Sequence, residues 1–166
     1  AWGVGMEETR LPTRGSVVPD PVSGLLRFDV DASTVASCAR LPESLRSDCF
    51  FGVGWTVGFF DWGKPSWPTL ACDSLTGESS RDSCWTGVGF LVGDHLHPDP
   101  SAMSRVIDMA PLAQRAQVAE GAGVGLGRGW GREASAVSFC ERMQSPQSAA
   151  CIRGVRRSFA MRAGGR

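Results

Sequence analysis

A short motif that returns along the chain constrains the fold more than any other feature of this 166-residue sequence. Cys49-Phe50-Phe51-Gly52-Val53-Gly54 recurs as Cys84-Trp85-Thr86-Gly87-Val88-Gly89, and again as Cys151-Ile152-Arg153-Gly154-Val155-Arg156. A degenerate copy without cysteine reads Glu120-Gly121-Ala122-Gly123-Val124-Gly125. The Gly-Val pairs begin at 52, 87, 123 and 154, so the spacings are 35, 36 and 31 residues. Periods in this range mark two-helix repeats, whose units are too small to bury an apolar face alone.

A second shared position lies upstream of each motif. Cys38 precedes Cys49 by eleven residues, Cys72 precedes Cys84 by twelve, and Cys140 precedes Cys151 by eleven. In the degenerate copy the residue eleven before Glu120 is Met109. Three residues beyond these positions come Leu41, Leu75, Leu112 and Met143. The degenerate copy has lost both cysteines together, as a disulfide within each repeat requires, because a lone survivor would be an unpaired thiol. Six cysteines permit fifteen pairings. The repeat selects Cys38–Cys49, Cys72–Cys84 and Cys140–Cys151. Closing each short loop stabilises its hairpin by roughly 2–3 kcal/mol, mainly by restricting the unfolded chain.

The expected fold class is all-α, a tandem array of helical hairpins resembling an α/α solenoid. Asp31 or Ser33 caps a first helix running to about Arg40, and Leu41-Pro42 breaks it. A second helix runs from near Glu43 to about Asp61 and ends at Gly63, with Pro65 beyond. In the next unit Pro68 opens a helix, Thr76-Gly77 turns the chain, and Glu78 to Gly93 forms the long helix. Pro100 and Pro146 take first-turn positions of later helices. Four repeats follow, at about 31–64, 65–98, 99–131 and 132–162, with a flexible tail at 163–166. Ala1-Trp2-Gly3-Val4-Gly5 matches the motif core, so residues 1–9 read as the end of a truncated repeat of a longer protein. Residues 10–30 are a loop or insertion rich in Pro and Gly, with one short strand within Leu25 to Val30.

Glycines four apart, Gly54 and Gly58, Gly89 and Gly93, Gly125 and Gly129, form a small-residue stripe on the long helices. Each costs about 1 kcal/mol in helix propensity, which close approach of a neighbouring helix would offset. Arg156 and Ala160 replace the pair in the last copy. The pattern resembles the disulfide-stapled Sel1-like repeats, and more broadly tetratricopeptide-type arrays. Ala71-Cys72-Asp73-Ser74-Leu75, Cys84, Gly87 and the period near 35 carry that likeness over about 33–161. The turn that links consecutive Sel1 repeats is not recognisable here, and the aromatic positions do not align. The resemblance implies an α/α-hairpin architecture and a secreted binding role, and it transfers no functional residue.

Several functions are disfavoured by composition. Hydrophobic residues make up 42% and charged residues 20%, a globular balance. Net charge is zero, which argues against a dedicated nucleic-acid or membrane-surface binder. The charge is nevertheless uneven: residues 1–127 sum to −6 and residues 128–166 to +6. The longest apolar stretch, Cys49 to Phe60, is shorter than the roughly 18 residues of a membrane span.

The run Gly121-Ala122-Gly123-Val124-Gly125-Leu126-Gly127-Arg128-Gly129-Trp130-Gly131 fits no Gly-x-Gly-x-x-Gly window, so it predicts a loosened second helix rather than a phosphate loop. No Cys-x-x-Cys signals a redox or zinc site, and no cofactor is expected. Metal-ligand types crowd only at Asp94-His95-Leu96-His97-Pro98-Asp99. Asp94, His95 and His97 are the candidate ligands for Zn or Cu, with Glu120 as a possible buried acid. Trp62 and Trp67 flank a turn and form a candidate contact patch. The expected function is a non-catalytic, extracytoplasmic repeat module binding another protein or a cell-envelope component, since disulfides at this density belong to an oxidising compartment. The alternatives are a metal-dependent hydrolase or metal-binding protein at Asp94, His95 and His97, and a structural spacer.

Overall fold

A computed structural model describes residues 15–19, 26–61, 72–96 and 99–164. The truncated repeat at 1–9, the helix end at Gly63 with Pro65 beyond, the helix opened by Pro68, and Trp62, Trp67 and His97 lie outside the described residues. The chain divides into two compact units, Ala1–Val88 and Gly89–Arg166. Among the described residues seven α-helices and one small sheet account for nearly all regular structure.

In the first unit, β1 (Gly15–Pro19) and β2 (Leu26–Val30) pair antiparallel, with Gly15 opposite Val30 and Pro19 opposite Leu26. The expected insertion is therefore a hairpin with two strands, not a loop with one. Helix α1 (Ala32–Arg40) starts where the Asp31 carboxylate accepts from the Ser33 amide at 3.0 Å. That bond satisfies one of the amides that a helix start leaves without an intrahelical partner. Leu41 and Pro42 end α1, and α2 (Glu43–Asp61) follows at once. Phe50, Val53 and Val57 recur at helical spacing and are buried. The Cys38–Cys49 disulfide joins the end of α1 to the first turns of α2 with a Cα–Cα distance of 5.5 Å.

The next staple, Cys72–Cys84, spans 5.6 Å between Cα atoms. Gly77, at φ +94°, turns the chain in the left-handed region that glycine enters without steric cost. Helix α3 (Glu78–Leu96) then runs past Gly93, three residues further than the sequence suggested. Trp85 is fully buried, and its indole Nε1 donates to the Asp73 carboxylate at 3.1 Å. The pairing explains how a polar indole N–H is accommodated in the core. Gly54 of α2 and Gly87 of α3 face each other's helices. A Cβ at Gly54 would overlap the Cys84 carbonyl, and one at Gly87 would overlap that of Phe51.

The second unit takes in the rest of α3 and four further helices. Helix α4 (Pro100–Asp108) has Pro100 in its first turn, as expected, and Asp99 as the cap, its carboxylate 2.9 Å from the Ser101 amide. A 3-10 turn, Leu112–Gln114, leads into α5 (Arg115–Gly129). Then come α6 (Glu133–Glu141) and α7 (Gln147–Gly164), stapled by Cys140–Cys151 at a Cα–Cα distance of 5.7 Å. Pro146 stands just before α7 rather than inside its first turn. The core gathers Phe90, Leu91, Met103, Ile107, Val118, Leu126, Phe139 and Val155, with Trp130 edge-on to Phe139 at 5.7 Å.

Helix α5 overturns the expectation of a loosened helix. Residues 115–129 are continuously helical, and Gly121 to Gly127 are all buried. Residues two apart on a helix point about 200° from one another, onto opposite faces. Gly125 accordingly meets the Phe90 carbonyl of α3, while Gly123 and Gly127 meet Cys151 and Ser158 of α7. Alternating glycines let α5 be approached closely from both sides. Gly129, the last member of the expected stripe, has nothing within 4 Å of a built Cβ and is exposed.

The register of this third hairpin also differs from the sequence alignment. In the stapled hairpins the residue three beyond the first cysteine donates its amide back to that cysteine: Leu41 to Cys38, Leu75 to Cys72, Met143 to Cys140. In the third hairpin the same bond runs from Ala110 to Ile107 at 3.1 Å. On the long helices, the carbonyl met by the preceding helix's glycine belongs to Cys84, Val118 and Cys151. Ile107 and Val118, eleven residues apart and fully buried, thus stand where the cysteines stand elsewhere. Met109 and Leu112, the positions aligned by sequence, are 48% and 82% exposed. Counted in this register, the second staple positions are 49, 84, 118 and 151, spaced 35, 34 and 33.

Candidate functional site

The last turn of α3 carries the described part of the metal-ligand cluster. His95 Nδ1 lies 3.8 Å from the Asp94 carboxylate, and both side chains are substantially exposed. A histidine in the last turn of a helix is favoured in any case by the negative end of the helix dipole. Two neighbouring donors are fewer than the three or four protein ligands that a zinc site usually takes. Among the described residues no group of three or more His, Cys, Asp or Glu side chains is placed to hold a metal ion. His97 lies outside them.

Glu120 is not part of that cluster. Its carboxylate faces α7, 3.4 Å from Arg153 Nε and 3.8 Å from Arg157 Nη1. All six cysteines are in disulfides, so the chain offers no thiol nucleophile. The glycine run of α5 is helical and covered by neighbouring backbone, which leaves no cradle of free amides for phosphate.

The unstapled hairpin holds the feature that sequence reasoning missed. Where α4 gives way to α5, Arg115 folds back over the turn. Its Nη1 donates to the Asp108 carboxylate at 3.0 Å, its Nη2 to the Asp108 carbonyl, and its Nε to the Ala110 carbonyl. Gln147, buried at the start of α7, donates to the same Asp108 carboxylate oxygen at 2.8 Å. This network crosses the turn of the one described hairpin that lacks a staple. The same turn pushes Met109 and Leu112 into solvent, the large hydrophobic side chains most exposed among the described residues. The sequence signal was present in Arg115, placed to reach back over the turn, but the misplaced register hid it. Trp62 and Trp67, the expected contact patch, lie outside the described residues.

Comparison with known protein families, curated proteins and solved structures finds no match. No helix among the described residues is long and apolar enough to cross a membrane. Three disulfides suit an oxidising, extracellular type of environment.

Proposed function

We propose that this chain is a non-catalytic binding module of stapled helical hairpins, working outside the cytoplasm on a protein or cell-envelope partner. The observation that supports this reading is the contrast at the α4–α5 turn. Its polar side chains are spent on bracing the hairpin, while Met109 and Leu112 are held out in water on a braced turn. Contiguous exposed apolar surface marks contact sites, and Met109 and Leu112 are the nucleus that this reading assigns to one. The repeat-array architecture belongs to the same proposal. It is supported by the backbone bond shared by the hairpin turns and by the glycine contacts between long helices.

The test is to present the purified chain to secreted and cell-envelope fractions of its source and map protection by hydrogen exchange. The module reading expects a saturable partner whose footprint includes 109–112, weakened by Leu112→Ser without loss of helical signal. The rival reading, a metal site at Asp94, His95 and His97, expects stoichiometric Zn or Cu that His95→Ala removes. Retained metal with metal-dependent hydrolysis, and no saturable partner, would overturn the module.

A further inference from the structure

Each of the first three long helices has a glycine five residues after its staple position, and the next long helix lies against it. Gly54 meets the backbone of Cys84, Gly89 that of Val118, and Gly123 that of Cys151. The residue in the same place on α7 is Arg156, which is exposed. A guanidinium on a long stem prevents the approach that glycine permits, so α7 does not offer its outer face as the same kind of seat.

The charge of α7 sharpens the point. The helix carries Arg153, Arg156, Arg157 and Arg162 and no acidic residue. Arg153 and Arg157 share one carboxylate, Glu120. Arg162 folds back, with Nη2 3.3 Å from the Trp130 carbonyl and its guanidinium 3.9 Å from the Phe159 ring centroid. Arg156 has no hydrogen-bond or ion-pair partner among the described residues.

We propose that the outer face of α7, centred on Arg156, is a docking surface for an acidic segment of a partner protein. This rests on the binding-module reading and names one surface and one partner chemistry for it. Three positional equivalents are glycine, so arginine here is a departure from the hairpin framework rather than one more solvated side chain. Complementary charge at such a face steers the encounter and selects against basic partners. In sequence, residues 128–166 carry a surplus of positive charge, +6 in all, opposite in sign to an acidic segment.

Anisotropy of a fluorescent polyglutamate peptide titrated with the full chain tests the surface. Binding is expected to weaken with salt, and Arg156→Glu to weaken it about fivefold or more. Arg40→Glu makes the same change in net charge at an exposed residue of α1 and should shift binding by less than about twofold. Equal loss in the two variants would mean general charge attraction and would overturn the proposal. So would absence of binding by the unmodified chain at low salt. Arg156→Gly serves as a second variant that removes the charge without reversing it, and is expected to fall between the other two. A partner footprint confined to 109–112, with polyglutamate unbound, would remove the α7 surface and leave the module reading standing.

Discussion

Gly125 and Gly129 lie four residues apart on α5 and call for opposite responses to the same substitution. A Cβ at Gly125 would overlap the Phe90 carbonyl and lie 2.9 Å from the Asp94 amide nitrogen, both backbone atoms that cannot swing away. Gly125→Ala is therefore expected to lower stability by about 1–3 kcal/mol through overpacking. It does so despite the roughly 1 kcal/mol that alanine gains in helix propensity. At Gly129 a Cβ meets nothing within 4 Å. Gly129→Ala should leave stability unchanged or raise it by up to about 1 kcal/mol. Urea midpoints of the two variants decide the matter, and equal responses would show that α3 and α5 are not in close backbone contact. Glycine spacing in the sequence could not separate these two residues. With glycine at every second position, only the packing tells which of them faces a neighbour.

The hairpin is the scale at which the sequence was most legible, and also where it misled. Paired cysteines, the break at Leu41-Pro42 and the cap at Asp31 state where helices start, stop and join. Each is a local signal backed by strong short-range chemistry. The third hairpin has no cysteine to fix its register. Its Gly-Val pair at 123 imitated the motif, while the true equivalent, Gly121-Ala122-Gly123, lies two residues earlier. Packing sets that choice, since Ile107 and Val118 are buried and Met109 and Leu112 are not. The metal cluster is a different case: Asp94 and His95 sit side by side in the last turn of α3, and His97 lies outside the described residues. The register yields a prediction at this scale. Ile107→Cys with Val118→Cys should oxidise to a fourth staple and stabilise the hairpin by about 2–3 kcal/mol. Met109→Cys with Glu120→Cys should leave two free thiols, since Met109 is turned to solvent and Glu120 towards α7. Thiol counting after air oxidation distinguishes the two registers. Arg115→Ala tests the brace that stands in for the staple. Its ion pair with Asp108 is about one third exposed on each side, so a loss of about 1 kcal/mol is expected, read from the same urea curves.

For the whole molecule the three staples act on separate, short stretches of chain: 38–49, 72–84 and 140–151. None encloses another, so to a first approximation their effects add. At roughly 2–3 kcal/mol each, together they contribute about 6–9 kcal/mol, comparable with the entire stability of an ordinary domain. Loss of all three should therefore move the chain from mostly folded to mostly unfolded near 37 °C. Loss of one should only lower the midpoint. The measurement is thermal unfolding by circular dichroism, with and without a phosphine reductant, alongside Cys72→Ala with Cys84→Ala. The paired variant is expected to keep its helical signal at 25 °C and melt several degrees lower. The fully reduced chain is expected to lose most of that signal. If reduction instead leaves the midpoint where it was, the apolar contacts of the hairpins suffice on their own. The staples would then be incidental to folding, and the oxidising compartment would lose its main physical argument. Selective collapse of the stapled hairpins, with 99–129 keeping its exchange protection, would instead show that the Ile107 and Val118 pair carries its hairpin without covalent help.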